Sequence, residues 1–230
     1  GVMVDGQVTS STGTAQGNPI SPLLANAFLH WLDRLWVKRC RLLGEIVRYC
    51  DDLVVVCRTE AHAREAQRQL NGILERLGLR LNTRKTRIVQ LTHGQAGFDF
   101  LGFHHRMFVS WRKPGHWNLY RWPSQKALQA IRDRIKEILT PPYAGTAVES
   151  LVERLNPVLR GWAADLRLGN STRAFLQIEH YVHERLALFA NKQHQRNGRG
   201  WTRHYPATWL RDLGVFRLSG IRVGYAPQTT

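Results

Sequence analysis

Residues 47 to 57 read VRYCDDLVVVC. Val47 on one side and Val54, Val55 and Val56 on the other have the β-branched character of strands, and the polar group between them is too short for anything but a tight turn. Two adjacent carboxylates, Asp51 and Asp52, therefore sit at the tip of a hairpin. Like charges that close repel unless something positive lies between or beside them, and a divalent cation is the simplest remedy. A solvated Asp-Asp turn remains open as the alternative, since Asp is common in turns.

Composition sets the outer bounds. A chain of 230 residues with 43% apolar and 10% aromatic content can bury a real core in one or two domains. No apolar run reaches the roughly 18 residues that a membrane-spanning helix needs, and no basic region followed by an apolar stretch opens the chain. Cys40, Cys50 and Cys57 are an odd number without metal-type spacing, which favours a reduced, cytoplasmic protein without a zinc module. No membrane partner is expected.

The net charge of +16 is unevenly placed. Residues 1 to 57 carry five Lys/Arg against five Asp/Glu, whereas 58 to 110 carry nine against four, 111 to 190 twelve against seven, and 191 to 230 seven against one. The excess thus lies outside the segment with the Asp pair. A neutral floor with basic walls suits a polyanion laid across it, because phosphate neutralisation supplies most sequence-independent nucleic-acid affinity. Arg outnumbers Lys, and its planar fork grips phosphate bidentately. An Arg-rich composition with merely solvated faces is the competing explanation.

Working outward along the chain, GVMVDGQ predicts a strand entering an Asp5-Gly6 turn. A Gly-rich loop then runs into a helix on which Leu24, Ala27, Phe28, Trp31, Leu32 and Leu35 recur at spacings of three and four, which predicts a buried stripe. After the Asp-Asp hairpin, Thr59 is placed to cap a second helix with Ala63, Ala66, Leu70, Ile73, Leu74 and Leu77 buried and Gly78 closing it. LRLNTRKTRIVQL alternates toward a strand, and FDFLGFHHRMF is a further short apolar strand. Strand, helix, hairpin, helix, strand is an α+β arrangement.

From Pro123 the pattern turns helical. Leu128, Ile131, Ile135, Ile138 and Leu139 share one face of SQKALQAIRDRIKEIL, which Pro141 and Pro142 end. VESLVERLNPVLRGWAADL predicts a second helical region interrupted at Pro157, and STRAFLQIEHYVHERLALFANKQ a long amphipathic third. The last forty residues mix Arg with aromatic residues and turn formers. His104 and His105, adjacent on a strand, point to opposite faces and do not form a ligand pair. Trp111, Trp117, Tyr120 and Trp122, interleaved with Arg112, Lys113 and Arg121, are suited either to stacking on bases or to packing between domains.

These residues carry a family resemblance. TAQGNPISPLLANAFLHWLD resembles motif B of group II intron-type reverse transcriptases, and YCDD at 49 to 52 resembles their Tyr-x-Asp-Asp motif C. LGLRLNTRKTRIV is similar to motif D, with Lys85 at the lysine position, and FDFLGF to the primer-grip hairpin. LNPVLRGW at 155 to 162 resembles the signature of the thumb, or maturase domain. The motifs keep family order over nearly the whole chain. Ala15 and Asn18 depart from the Pro and the Gly or Ser that the family often has there, which leaves the exact shape of the motif B loop open.

The resemblance implies an α+β fold, a partial reverse-transcriptase palm over 1–108 followed by a helical thumb/maturase domain over 109–190, with a basic tail over 191–230. It implies RNA-directed DNA polymerisation by a two-metal mechanism, using two Mg²⁺ ions with Mn²⁺ as a substitute, on dNTP, a DNA primer and intron or template RNA. Hard cations of this kind need carboxylate oxygens held rigidly, with other positions open to water and phosphate. Asp51 is then the primary ligand and Asp52 the second. Tyr49 would touch the primer terminus, or else pack as a core aromatic. Gln16, Gly17, Asn18 and Pro19 would meet the incoming nucleotide, since exposed N–H groups at a helix start favour phosphate; a loop that only caps the helix is the alternative. Lys85 would protonate the leaving pyrophosphate, or be an unspecialised basic strand edge. Leu101 and Gly102 would belong to the primer grip.

A non-catalytic RNA-binding maturase module is the rival of a different class, and a nucleotide cyclase of palm type a second rival. The intact YCDD favours a polymerase over the former; the motif B loop and basic thumb disfavour the latter. By the same resemblance a third carboxylate comes from motif A, upstream of motif B. The only acidic residue before Gln16 is Asp5, in a predicted turn. The expectation is therefore that an N-terminal segment, on the same precursor or a separate chain in a prokaryotic cell, supplies fingers and that carboxylate, and that this chain alone is inactive.

Overall fold

Which face of an apolar segment is buried depends on its partners, and the structure, a computed structural model, settles this where periodicity does not. It describes residues 20–92, 94–110, 113, 115–140, 145–194 and 201–221, and the backbone of two strands near the start. Those strands, β1 (Val2–Val4) and β2 (Gln7–Thr9), pair antiparallel with Val4 opposite Gln7. The chain divides into two units, Gly1–Gln90 and Leu91–Thr230. Its class is the expected α+β.

In the first unit, helix α1 (Ser21–Arg39) is followed by the antiparallel strands β3 (Glu45–Tyr49) and β4 (Asp52–Val56) and by helix α2 (Glu60–Arg76). The strand pairs Ile46↔Val55 and Arg48↔Leu53 share one face, and the apolar members of that face join the core. Leu32, Trp36 and Cys40 of the α1 side meet Ala66, Leu70, Ile73 and Leu74 of α2 there. Trp36 donates its indole N–H to the Gly44 carbonyl at 3.0 Å. A Cβ on Gly44 would lie 2.5 Å from the Val56 carbonyl oxygen, so only glycine lets the hairpin close this tightly.

Helix α2 is as its sequence predicts. Thr59 accepts the His62 N–H at 3.1 Å, and Gly78 at φ +70° ends the helix with Gly78 N–H to Glu75 and Leu79 N–H to Leu74, a Schellman closure. Helix α1 is not. Leu24, Phe28 and Trp31 are 50%, 45% and 59% exposed and Ala27 is exposed too, whereas Leu32 of the expected stripe is buried, Leu35 packs against the core, and the stripe continues through Trp36 to Cys40. The first half of α1 is apolar most of the way round, so spacing alone offered two faces there, and the expected stripe holds only from Leu32 on. The stretch 79–91 forms no strand either: it is a loop with a turn at residues 83–85, while Leu79 and Leu81 still rest on the core. Its alternation records which side chains touch the core, not a hydrogen-bonded ladder.

The second unit opens with a three-stranded antiparallel sheet, β5 (Phe98–Phe100), β6 (Phe103–Val109) and β7 (Trp117–Pro123) in that order. FDFLGFHHRMF is thus two strands joined by Leu101 and Gly102, both at positive φ (+50° and +79°), as a two-residue hairpin of mirror type requires. Strand β7 had no counterpart among the expected elements. Its Pro123 is tolerated because the strand lies at the sheet edge.

The three expected helices follow, and two short ones are added in the tail. Helix α3 (Gln125–Ile138) is capped by Ser124 and buries Leu128, Ile131, Ile135 and Ile138. Helix α4 (Val148–Leu166) runs unbroken through Pro157, contrary to the predicted interruption. Pro157 is on the exposed side, so the Glu153 carbonyl that loses its N–H partner stays within reach of water. Helix α5 (Thr172–Gln193) lies against α3 and α4 through Phe175, Ile178, Val182 and Leu186. The basic tail carries two short helices, α6 (Trp201–His204) and α7 (Ala207–Asp212), and Leu218 beyond them is fully buried in the same core. Pro141 and Pro142 lie outside the described residues.

Candidate active site

The β3–β4 hairpin positions the acidic pair. Tyr49 and Asp52 are cross-strand partners, so only Cys50 and Asp51 make the turn. Cys50 takes a left-handed φ of +52°, a conformation that costs an L residue about 1–2 kcal/mol. The pairs Glu45↔Val56, Val47↔Val54 and Tyr49↔Asp52 form the outward face, where Val54 is half-buried and Tyr49 is 62% exposed. The core-aromatic alternative for Tyr49 is thereby excluded. Asp51 and Asp52 are both exposed, and neither carboxylate has a hydrogen bond or ion pair among the described residues.

What fixes the turn is Arg48, a residue that sequence reasoning passed over. Its guanidinium makes a two-pronged contact with Asp33 of α1, Nε to Oδ1 at 2.9 Å and Nη2 to Oδ2 at 2.6 Å. The remaining nitrogen, Nη1, donates to the Asn26 side-chain oxygen at 2.9 Å and to the Cys50 carbonyl at 2.8 Å. Only 12% of the Arg48 side chain is exposed, and hydrogen bonding to Asp33 pushes its pKa further up, so it stays charged. The signal was in the alternation: in EIVRY, Arg48 falls on the face of Ile46, where an apolar residue belongs, and a cation there requires a partner on the packed helix.

The donor chemistry suits a hard divalent cation in part. Two unpartnered carboxylates on a short, well-anchored hairpin are acceptable oxygen ligands with open positions beside them. Among the described residues, however, no group of three or more His, Cys, Asp or Glu side chains comes together. Asp5 lies outside the described residues, as do Gln16, Gly17, Asn18 and Pro19.

The other expected residues are dispersed. Lys85 is exposed in a turn organised by Asn82, whose carbonyl accepts the Lys85 N–H at 3.0 Å and whose side chain accepts the Arg84 N–H at 3.1 Å. Leu101 and Gly102 form the tip of the β5–β6 hairpin in the second unit, where the Gly102 carbonyl accepts the Ser124 N–H at 2.8 Å. His104 and His105 diverge as expected: His104 Nδ1 is 2.6 Å from Asp99 Oδ1, while His105 stacks on Phe98 at 5.0 Å. Burial holds the His105 pKa below the usual histidine value. Tyr120 and Trp122 pack within their own sheet, against Phe108 and against His104 and Phe108 respectively. Trp111 and Arg112 lie outside the described residues.

Comparison with known families places the chain among them. Residues 3–105 match the model of the reverse transcriptase (RNA-dependent DNA polymerase) family, and residues 128–206 match the group II intron maturase-specific domain. The chain belongs to the group II intron reverse transcriptase/maturase family. A search of curated proteins found no match. In this family's terms the Asp51–Asp52 hairpin lies in the reverse-transcriptase part and helices α3 to α6 in the maturase part. No helix among the described residues is long and apolar enough to cross a membrane.

Proposed function

We propose that this chain supplies the catalytic hairpin and the thumb of an RNA-directed DNA polymerase that also binds intron RNA. The observation that carries the reading is the Asp51–Asp52 tip: two exposed carboxylates without partners among the described residues, on a turn that Arg48 and α1 hold in place. A turn that served only as a connection would have no need of that anchoring. Asp51 and Asp52 are the residues that hold Mg²⁺ or Mn²⁺, and the ions, when bound, supply charge stabilisation for the attacking 3′ oxygen and the leaving pyrophosphate. Tyr49, outward beside Asp52, contacts the primer end. Lys85, exposed and unpaired among the described residues, donates a proton to pyrophosphate. Leu101 and Gly102 grip the primer strand, and the Gln16–Pro19 loop meets the dNTP. RNA template and DNA primer are the partners of the basic surface.

By the family resemblance, a two-ion site takes a third carboxylate beside these two, and we read it as supplied, with the fingers, by an N-terminal segment in cis or in trans. The test is primer extension on an RNA template with Mg²⁺, by the chain with and without such a segment, beside Asp51→Asn and Asp52→Asn. Extension that needs the segment and falls at least about 1,000-fold in Asp51→Asn, with RNA affinity unchanged, is expected, since only transition-state stabilisation is lost. Extension by Asp51→Asn at the parent rate removes the metal assignment. RNA binding without extension in any assembly, by the parent chain, favours the non-catalytic maturase module.

A further inference from the structure

Arg48 occupies a position that no metal ligand, nucleotide contact or core residue accounts for. It is a nearly buried cation on the helix-facing side of the catalytic hairpin, with four hydrogen bonds to three different residues. Two of those residues, Asn26 and Asp33, stand seven positions apart on α1 and so share one face of that helix, two turns from one another. The third is the carbonyl of Cys50, the oxygen of the peptide that joins Cys50 to Asp51. Rotation of that peptide changes the direction in which Asp51 leaves the turn. Its orientation is fixed by a bond to a guanidinium that is itself fixed at both ends.

We propose that Arg48 is a positioning residue for the acidic pair, and that Asn26 and Asp33 transmit the placement of α1 to the Asp51 carboxylate through it. This rests on the reading of Asp51 and Asp52 as cation ligands. The physical argument is one of alternatives. A pair that only stabilised the fold would need the Asp33 contact alone, and Nη1 would be free to face water. Instead Nη1 reaches the backbone of the turn at the residue with strained φ. A left-handed Cys50 has several neighbouring conformations of similar energy, and a charge-assisted bond to its carbonyl selects one of them. The planar guanidinium is required: an ammonium at the same place can satisfy Asp33 but cannot span Asp33, Asn26 and the Cys50 carbonyl together. The chain thus links the helix that follows the nucleotide-side loop to the hairpin that carries the acids.

The experiment uses the full ¹⁵N-labelled chain and Mn²⁺ as the probe. Line broadening of the Asp51 and Asp52 amides is followed during Mn²⁺ titration, and thermal unfolding by circular dichroism is recorded for each variant. The parent chain should show broadening confined to the hairpin tip. Arg48→Lys should raise the Mn²⁺ concentration at half-effect about 10-fold or more, as loss of groups that orient metal ligands does, with the protein still folded. Asn26→Ala removes one bond from an exposed side chain and keeps the Asp33 contact, so it should shift the midpoint in the same direction by a few-fold, and it stands in if Arg48→Lys does not fold. In a polymerising assembly both should lower kcat more than they raise the KM for dNTP. Midpoints equal to the parent in both variants overturn the positioning role. If Asp51→Asn leaves the broadening unchanged, it is the cation-ligand reading that fails, because the tip then holds no ion to be positioned.

Discussion

Tyr49 and Asp52 face each other across the last rung of the β3–β4 hairpin, which leaves a turn of two residues, with Cys50 at φ +52°. The chain places a cysteine where glycine or asparagine would be the unstrained choice. Cys50→Gly is therefore expected to change stability by less than about 1 kcal/mol, since relief of strain is offset by the greater freedom of the unfolded chain. Cys50→Val should cost about 1–2 kcal/mol because a β-branched residue resists positive φ. Urea unfolding of the two variants measures the difference, and equal stability would show that the turn relaxes around its side chain.

How far this site was legible in the sequence can be judged residue by residue. The placing of Asp51 and Asp52 at a hairpin tip was legible because two acids between valine runs leave room only for a tight turn. Helices α2 and α3 were legible because each has a single apolar face and a capping side chain at its start, Thr59 or Ser124. Helix α1 was misjudged because Leu24, Phe28 and Trp31 offered a second, equally regular face. Strand β7 was missed because its aromatic and charged residues were read as base-stacking or inter-domain packing groups, whereas Tyr120 and Trp122 serve cross-strand packing. Arg48 was overlooked for a different reason. Its partners Asn26 and Asp33 lie 22 and 15 residues away, and nothing local in RYCDD reveals that distance.

The tail is tied to the helical unit by two side chains whose role no motif announces. Asn156 of α4 donates to the Gly214 carbonyl and accepts the Phe216 N–H at 2.8 Å, and one oxygen of Glu179 on α5 accepts from Leu218 N–H, Ser219 N–H and the Ser219 hydroxyl. Asn156→Ala and Glu179→Ala should each cost about 1–3 kcal/mol, because backbone N–H groups lose their acceptors. Amide exchange at Phe216 and Leu218 should accelerate in both. The double variant should cost less than the sum, since either loss alone frees much of the same segment. Full additivity would mean the two clamps act on independent pieces of tail.

His105 gives the second unit a pH dependence of definite sign. Its pKa is lowered by burial first, with one ring nitrogen buried and without a hydrogen-bond partner. The unfolded chain therefore binds its proton more readily than the folded one just below the ordinary histidine value of about 6.5. Stability from this group is present above that value and is lost as pH falls through it toward the lower folded pKa. His105→Phe, which keeps the ring stacked on Phe98, should flatten the fall in stability between about pH 7 and pH 5. A variant whose acid limb matches the parent would locate that limb in other groups.

The charge asymmetry leads to the last expectation. With five acidic and five basic residues in 1–57 and the whole excess of sixteen beyond them, RNA affinity should arise outside the Asp51–Asp52 hairpin. Log affinity against log salt should fall with a slope of about −4 or steeper, as five or six neutralised phosphates would give. Arg132 on α3 and Arg173 on α5 line one groove of the helical unit, without a carboxylate partner among the described residues. Replacing either by Gln should make the slope shallower by about 0.7–0.9, the counterion release of one phosphate contact. Asp51→Asn should leave the slope unchanged, because a carboxylate does not neutralise phosphate. Filter binding across salt concentrations supplies all of these slopes. A flat response in the parent chain would reject the basic-wall argument, and slopes unmoved in the Arg variants would shift the RNA path off the α3–α5 groove.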